Sequence, residues 1–465
     1  MKQEQRTQIV ENAKYLRAVR PIDPDEIFEY VDGEPHPAVV RQVLREHSVE
    51  LGIVEAEDGT FVPASDEPIS TTFHGVKAFP PEHSARLEDF IVNRFGAGWP
   101  DGEGGDVLRY NIRKLKEDYF AQNPVEYDED AALGYAVYHL PDYYATAQYV
   151  FADMLRHGLL SEHTRILDVG AGAGGPALGI HDLFPDDALV DYHALEPSAG
   201  ADVFEHMLGE TRDTFRTELH RETAEAFAPS ETYDIVLFSN VLSELDDPVA
   251  VVKKYAKHLA DDGSIVAIAP ADKNTSIGLR EVERTVEDGL SVWGPAVRIW
   301  PSFVPADEGW SFDVQPDLEI PAFQQKLDEA GGDYGEFINE DVQYSWTVLR
   351  KDDKQRLDIE PNISLFARMN EMEKHVTKRI DVLAVKLSHS LSSGDAHQLY
   401  KIGDGSEQTD HYAVRTQKTT TNAALEDAEY GDLLIFENVL VLWNDDEEAY
   451  NLVVDGKTTV DAMPA

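Results

Sequence analysis

The chain has 465 residues, 42% of them hydrophobic, and carries a formal charge of −48 from 88 acidic against 40 basic side chains, with no cysteine. The missing cysteine excludes disulfides, thiolate metal sites and cysteine nucleophiles, and no stretch of about 18 apolar residues or apolar leader follows Met1, so a soluble cytoplasmic protein is expected. Charge this one-sided loosens a core in dilute buffer but is screened at roughly 1 M salt, where the Debye length is about 3 Å, so the balance points to a salt-rich cytoplasm of the halophile kind, and the periodic apolar segments exclude a disordered acidic chain.

The length allows roughly three or four domains. Residues 1–66 predict a helix from Gln3 to Val19, a short helix opening at Asp23-Pro24 and a third from His36-Pro37 to Leu51. A hairpin from Gly52 to Ala64 follows, turning at Asp58-Gly59. These are the elements of a winged helix or of a plain helical cap, for the third helix carries Arg41 and Arg45 but also Glu46 and Glu50. Residues 67–160 pass breaks at Pro80-Pro81 and Gly96 to Gly105 and read as helical.

Residues 161–350 begin with an apolar strand ending in an acid and a glycine stair, Ile166-Leu167-Asp168-Val169-Gly170-Ala171-Gly172-Ala173-Gly174-Gly175. Glycines 170, 172 and 175 satisfy G-x-G-x-x-G, in which bare backbone approaches a nucleotide. Asp168 would repel a pyrophosphate but suit a cationic methionine head. A first helix (Pro176 to Phe184) and a second strand (Ala188 to Leu195) lead to Glu196, 22 residues after Gly174, near the place of a ribose-binding acid. A third strand near Thr217 to Arg221 precedes Glu222-Thr223, and the fourth runs from Tyr233 to Ser239-Asn240. A helix from Val249 to Leu259, a turn at Asp262-Gly263 and a fifth strand from Ser264 to Ala269 complete an α/β doubly wound sheet.

Residues 351–465 read as a helix from Ile363 to Lys378 and five strands: Ile380 to Leu387, Gln398 to Ile402, His411 to Thr416, Asp432 to Leu442 and Ala449 to Val454. Turns fall at Asp404-Gly405, Asn444-Asp445 and Asp455-Gly456. Such a set suggests a small β-barrel of the oligonucleotide-binding (OB) type. Within 363–421, Arg368, Lys374, Lys378, Arg379, Lys386, Lys401, Arg415 and Lys418 balance the acids to a net +1, and with Tyr400 and Tyr412 this is the expected face for a phosphate backbone, or else a neutral solvated face.

The order acid-x-G-x-G-x-G at Asp168 to Gly174 resembles motif I of class I S-adenosylmethionine-dependent methyltransferases. The resemblance implies S-adenosylmethionine held by Asp168, Gly170, Ala171, Gly172 and Gly174, with Glu196-Pro197 at the ribose, Glu222-Thr223 at the adenine and Ser239-Asn240 closing the site. Plainer roles stay open: a packing turn, a solvated strand end, one acid among many, and for Asn240 a cap on a helix starting near Leu242. No metal ligands are assigned. Without cysteine, methyl transfer to pyrimidine C5 through an adduct at C6 is not expected. Where adenine-N6 and related amino methyltransferases place N-P-P-Y after strand four, this chain has Ser239-Asn240-Val241-Leu242, so no catalytic residue is named.

Three further segments carry a finer resemblance. Leu133 to Ala145 before the glycine stair, Val241-Leu242-Ser243-Glu244-Leu245 after strand four, and Tyr430-Gly431-Asp432 resemble the small-ribosomal-subunit methyltransferase-like family, whose eukaryotic members assist mitochondrial ribosome assembly. The resemblance covers roughly residues 107–440 and implies action on the small ribosomal subunit or its rRNA. That family commonly holds an iron–sulfur cluster by cysteines after strand five; the matching stretch Pro301 to Pro316 has none, so no cluster is expected and Trp300, Phe303, Trp310 and Phe312 must fix the loop or simply pack as core. Three classes remain: an rRNA methyltransferase, a small-molecule methyltransferase, and an assembly factor without catalysis.

Overall fold

The computed structural model describes residues 2–463 apart from 122, 301, 333–334, 358, 360, 363 and 395. It opens with α1 (Gln3–Leu16), α2 (Pro24–Ile27), α3 (Pro37–Glu46), α4 (Ser48–Leu51) and the hairpin β1 (Ile53–Glu55) and β2 (Phe61–Pro63). Pro24 and Pro37 occupy first turns, where a missing amide costs no hydrogen bond, and the Asp23 and His36 side chains accept from the Asp25 and Ala38 amides. The single helix expected to reach Leu51 breaks at His47. Ile22 bridges to Phe61, so a third extended segment joins the hairpin, and Ile9, Val40, Leu44, Leu51, Ile53 and Phe61 share a core. This is a winged-helix-like arrangement.

Three helices follow: α5 (Pro81–Phe95), α6 (Glu103–Ala121) and α7 (Glu129–Arg156), the last capped by the Asp128 carboxylate, which accepts from the Asp130 and Ala131 amides. Then come β3 (His163–Val169), α8 (Gly175–Leu183), β4 (Leu189–Leu195), α9 (Gly200–Met207), β5 (Phe215–His220), β6 (Tyr233–Ser239), α10 (Pro248–Tyr255), β7 (Leu259–Pro270), α11 (Lys273–Val286), β8 (Ser291–Gly294), β9 (Asp313–Gln315), α12 (Ala322–Gly331) and β10 (Val342–Arg350). The strand order is β5-β4-β3-β6-β7-β10-β8, with β9 beside β10. Strands β3 to β5 are parallel, and β10 runs antiparallel to β7 and β8. Every residue of β4 is buried, as in a parallel strand covered on both faces. The turn expected at Asp262-Gly263 is absent. Arg350 donates to the Asp262 carbonyl and Lys351 to that of Leu259, holding the segment extended as part of β7.

The chain closes with β11 (Arg379–Lys386), β12 (Gln398–Gly403), β13 (His411–Arg415), α13 (Ala424–Asp427), β14 (Leu433–Asn444), β15 (Ala449–Val454) and β16 (Thr459–Ala462). Neighbours run β11-β12-β13-β15-β14, and β14 returns to β11, closing a five-stranded barrel whose β13–β15 pairing is parallel; β16 pairs with the first half of β14, which β15 leaves free, and its Val460 joins the barrel core. That is the OB-type order. The helix expected from Ile363 to Lys378 is instead a 3-10 segment, Met369–His375, and Ile363 lies outside the described residues. The Met369 amide donates to Asp404 and the Asn370 amide to Ser406, so barrel side chains take the donors a helix would need.

Contacts group the chain into two compact units, one of residues 1–228, 233–235 and 317–341, the other of 229–232, 236–316 and 342–465. In the second, Val382, Ala384, Tyr400, Ile402, Leu434, Phe436 and Leu452 fill the barrel. Among the described residues no helix is long and apolar enough to cross a membrane.

Candidate functional site

The turn after β3 exists because three of its glycines take left-handed backbone: φ is +79° at Gly170, +54° at Gly172 and +89° at Gly174. The Gly170 and Ala171 amides donate to the Leu195 carbonyl, tying the turn to the end of β4. A Cβ on Gly175 would lie 2.9 Å from Tyr143 Cβ and 3.2 Å from the Leu140 carbonyl, because α7 lies directly on the start of α8. At Gly172 a Cβ would meet nothing within 4 Å. That side of the loop is open to a ligand.

Asp168 is fully buried behind this turn. Its Oδ2 accepts a 2.6 Å hydrogen bond from the Tyr192 hydroxyl, while Oδ1 is buried with no hydrogen-bond partner. Burial, and then the nearby Glu196 charge, push the carboxyl up to about 7, against the opposing pull of the tyrosine bond. The orphaned oxygen leaves buried negative charge behind the glycine turn with no donor to answer it. Glu196, also buried, accepts from the Gly172 amide through Oε2 and the Ser198 amide through Oε1, both at 2.8 Å. It therefore holds the loop's shape, and each oxygen keeps a lone pair for hydroxyl donors. Pro197 sits between these two anchored residues.

The structure adds side chains to which no role was given from sequence. Tyr135, His139 and Tyr143, spaced by four on α7, share one helix face. The Tyr135 hydroxyl donates to that of Tyr143 at 3.0 Å, and His139 stacks on Tyr143 with centroids 5.0 Å apart at 12°. His139 Nδ1 lies 3.3 Å from Asp142 Oδ2, and burial raises the Asp142 carboxyl above its ordinary range. Tyr127 packs on Tyr135, and its carbonyl accepts from the Ala199 amide just beyond Glu196. The period of four was the available signal. Tyr192 could have been found from strand alternation, since β4 register sets it on the same face as Asp168, two residues along.

The other expected residues are less convergent. Glu222 is exposed after β5, and Thr223 caps a short turn by accepting from the Ala226 amide. Ser239 and Asn240 end β6, both buried, and Asn240 has φ +57°. Its side chain donates to Ser239 Oγ rather than capping the 3-10 turn Leu242–Glu244, whose start has no side-chain cap.

Within the second unit, three of the eight cations of the expected basic face, Lys386, Lys401 and Arg415, turn inward. Lys401, fully buried, pairs with Asp307 and Asp410; Arg415 pairs with Glu426; Lys386 donates to the Glu426 and Ala428 carbonyls; Tyr400 lies in the barrel core. Burial overrides the charge pattern because each cation meets an acid or carbonyl. Arg368, Lys374, Lys378, Arg379 and Lys418 keep access to solvent, and Asp395 lies outside the described residues. In the aromatic loop Trp300 and Phe312 are buried and Phe303 and Trp310 half-buried, and the loop is fixed by charge as well: Trp300 Nε1 donates to Asp404 at 2.8 Å, Trp310 stacks on Phe312, and Arg284 pairs with Asp307. Tyr430 is held there by Ser311 and Arg280.

A parallel sheet in this order with an antiparallel strand inserted beside its fifth, and a glycine turn led by a buried acid, define a class I methyltransferase domain, whose cofactor is S-adenosylmethionine. The methyltransferase-domain family matches residues 167–265. The two domains of a family of unknown function (DUF8157) match the flanks, the N-terminal domain over 6–57 and the C-terminal domain over 370–463. A comparison with curated proteins finds no match. Similar solved structures include an S-adenosylmethionine-dependent methyltransferase from Clostridium acetobutylicum ATCC 824 (14% identity, 35% of this chain and 57% of that one, TM-score 0.23). CalS10, an amino pentose methyltransferase from Micromonospora echinaspora, shares 26% identity over 26% of this chain and 48% of its own, with TM-score 0.22. The plantazolicin methyltransferase BpumL shares 11% identity over 58% of this chain and 99% of its own, with TM-score 0.29. The chain thus spans about half the length of the first two.

Proposed function

We propose that the chain transfers a methyl group from S-adenosylmethionine to RNA of the small ribosomal subunit. The observation carrying the donor is Asp168, two residues before the first turn glycine, whose buried Oδ1 has no hydrogen-bond partner and suits the cofactor's ammonium group. Glu196 would take the ribose hydroxyls with its remaining lone pairs. The bound cofactor supplies an electrophilic methyl. The chain's own residues then have two tasks: to align the acceptor, and to receive its proton where the acceptor loses one. The aromatic face of Tyr135 and Tyr143 suits a planar acceptor, and His139, backed by Asp142, is the group placed to accept a proton.

The RNA reading is supported by the resemblance at 133–145, 241–245 and 430–432, and by flanking winged-helix-like and OB-type modules, both architectures that bind nucleic acid elsewhere. On the barrel, Trp443 and Leu442 are exposed, Trp443 packs on Tyr450, and the Val441 amide donates to the Lys378 carbonyl, so the aromatic pair and Lys378 are neighbours. This patch replaces the wider basic segment as the proposed RNA contact, with stacking carrying more than phosphate pairing. A small-molecule acceptor is the second reading, favoured by the −48 charge that repels phosphate.

Radioactive S-adenosylmethionine incubated with immature small subunits at high potassium chloride tests the proposal. Label in the rRNA is expected, and Trp443→Ala with Lys378→Glu should cut subunit association while donor binding stays intact. Donor binding with no label in RNA leaves the non-catalytic assembly factor; label only in small molecules selects the second reading.

A further inference from the structure

A second cluster of ligating groups lies on the sheet away from the glycine turn. His193 on β4 and Glu218 and His220 on the edge strand β5 bring one ligating atom each within 4.8 Å of one another. The register places Glu218 opposite His193, and alternation places His220 on the same face. His220 Nε2 stands 3.3 Å from His193 Nδ1 and 3.7 Å from Glu218 Oε1. Bonds of about 2.0 Å place two nitrogens of a tetrahedral zinc ion about 3.3 Å apart, so the imidazoles already hold the spacing of one tetrahedral edge.

The far side of the buried ring is the independent observation. His193 Nε2 makes no hydrogen bond of normal geometry, yet Asp191 Oδ2 lies 3.4 Å behind it, and Asp191 is itself anchored by Arg165. A carboxylate behind a histidine whose other nitrogen faces a shared site is the arrangement that orients metal-binding imidazoles and fixes their tautomer. A mere imidazole–imidazole hydrogen bond would not call for it. The Tyr233 hydroxyl, 3.4 Å from His193 Nδ1, closes the inner side, and the partly exposed Glu218 leaves an outer position open to water.

We propose that His193, His220 and Glu218 bind one divalent transition-metal ion, zinc foremost, with Asp191 as the supporting carboxylate. The imidazoles disfavour magnesium and calcium, which take oxygen ligands. The site joins β4 to the edge strand β5 just below the donor residues, for the Glu196 amide donates to the His220 carbonyl at 3.0 Å. The ion would pin the strand that presents Glu196.

The test is calorimetry of zinc chloride into the chelator-treated full chain in about 2 M potassium chloride, which screens diffuse binding to surface carboxylates. One equivalent per chain is expected, and cobalt(II) should give the visible absorption of a four- or five-coordinate nitrogen–oxygen site. His220→Gln and Glu218→Gln, both on the solvent side, should abolish the stoichiometric step without changing the melting temperature of the metal-free protein, and Asp191→Asn should weaken it by about tenfold. No stoichiometric zinc, or full zinc affinity in His220→Gln, would overturn the site and leave a hydrogen-bonded histidine pair.

Discussion

At the scale of single residues, the proposed donor site turns on a carboxyl held between two protonation states. Asp168 is buried beside Glu196, and only Tyr192 favours its charge, so its carboxyl is pushed up to about 7. A raised carboxyl binds its proton more tightly folded than unfolded. Its effect on stability is therefore unfavourable once pH rises from the ordinary carboxylate range through about 7. A cationic ligand reverses the preference, so donor binding below about pH 7 must release this proton. Donor affinity should climb with pH by at most about tenfold per unit, then level off above about 7. Calorimetry in buffers of different ionisation enthalpy reads both affinity and proton count. Tyr192→Phe should move the plateau to higher pH, and Asp168→Asn should flatten the curve and weaken binding; an unchanged profile in Asp168→Asn would assign the proton elsewhere. Glu196→Ala should weaken the donor by more than a lost ribose contact alone, since the Gly172 and Ser198 amides lose their acceptor too.

Among elements, what could be read in advance divides by whether local pattern or tertiary partner decides. The glycine turn, the acid before it and the strands Ala188 to Leu195 and Tyr233 to Ser239 were legible because a buried parallel strand is a short apolar run and a left-handed turn demands glycine. The barrel was legible from alternation and turn residues. Met369 to His375 was not, because its amides are taken by Asp404 and Ser406 from distant loops. Lys401 and Arg415 were misplaced for a related reason: charge normally marks surface, and nothing local announces that Asp307 and Asp410 lie against Lys401. The consequence is measurable. Lys401→Met should leave the buried Asp307 and the half-buried Asp410 facing each other with Arg284 as remaining counter-charge, costing about 3–5 kcal/mol. Thermal unfolding should fall accordingly, whereas Lys374→Met, at an exposed pair with Glu371, should change little. The same buried region contains Glu407, pushed up to about 8 by burial and by Asp404, whose own carboxylate collects donors from Trp300, Met369 and Ser406. A raised acid again disfavours the fold as pH climbs from its ordinary value to about 8. Glu407→Gln, which keeps an acceptor for the Asp404 amide, should flatten the alkaline loss of melting temperature.

For the whole molecule, the governing quantity is a charge of −48 on 465 residues. Many acids are locally answered, as where Arg94 meets Glu129 and Asp130, or Arg221 meets Asp202 and Glu205, but these pairs are partly exposed and each contributes little. With 88 acids and 40 bases, one-to-one pairing would still leave 48 acidic side chains without a basic counterpart. Their repulsion is a long-range term that no single substitution relieves, and it acts on compact states more than on an expanded chain. Potassium chloride shortens the screening length from about 10 Å at 0.1 M to about 3 Å near 1 M, below the spacing of most surface charges. Melting temperature should therefore rise steeply from about 0.1 to 1 M and then flatten, because the remaining pairs are closer than the screening length. Sodium chloride should act nearly as well, which separates screening from specific ion binding. A melting temperature independent of salt over this range would mean that the fold's cohesion already outweighs the repulsion, and that the acidic surface serves solubility alone.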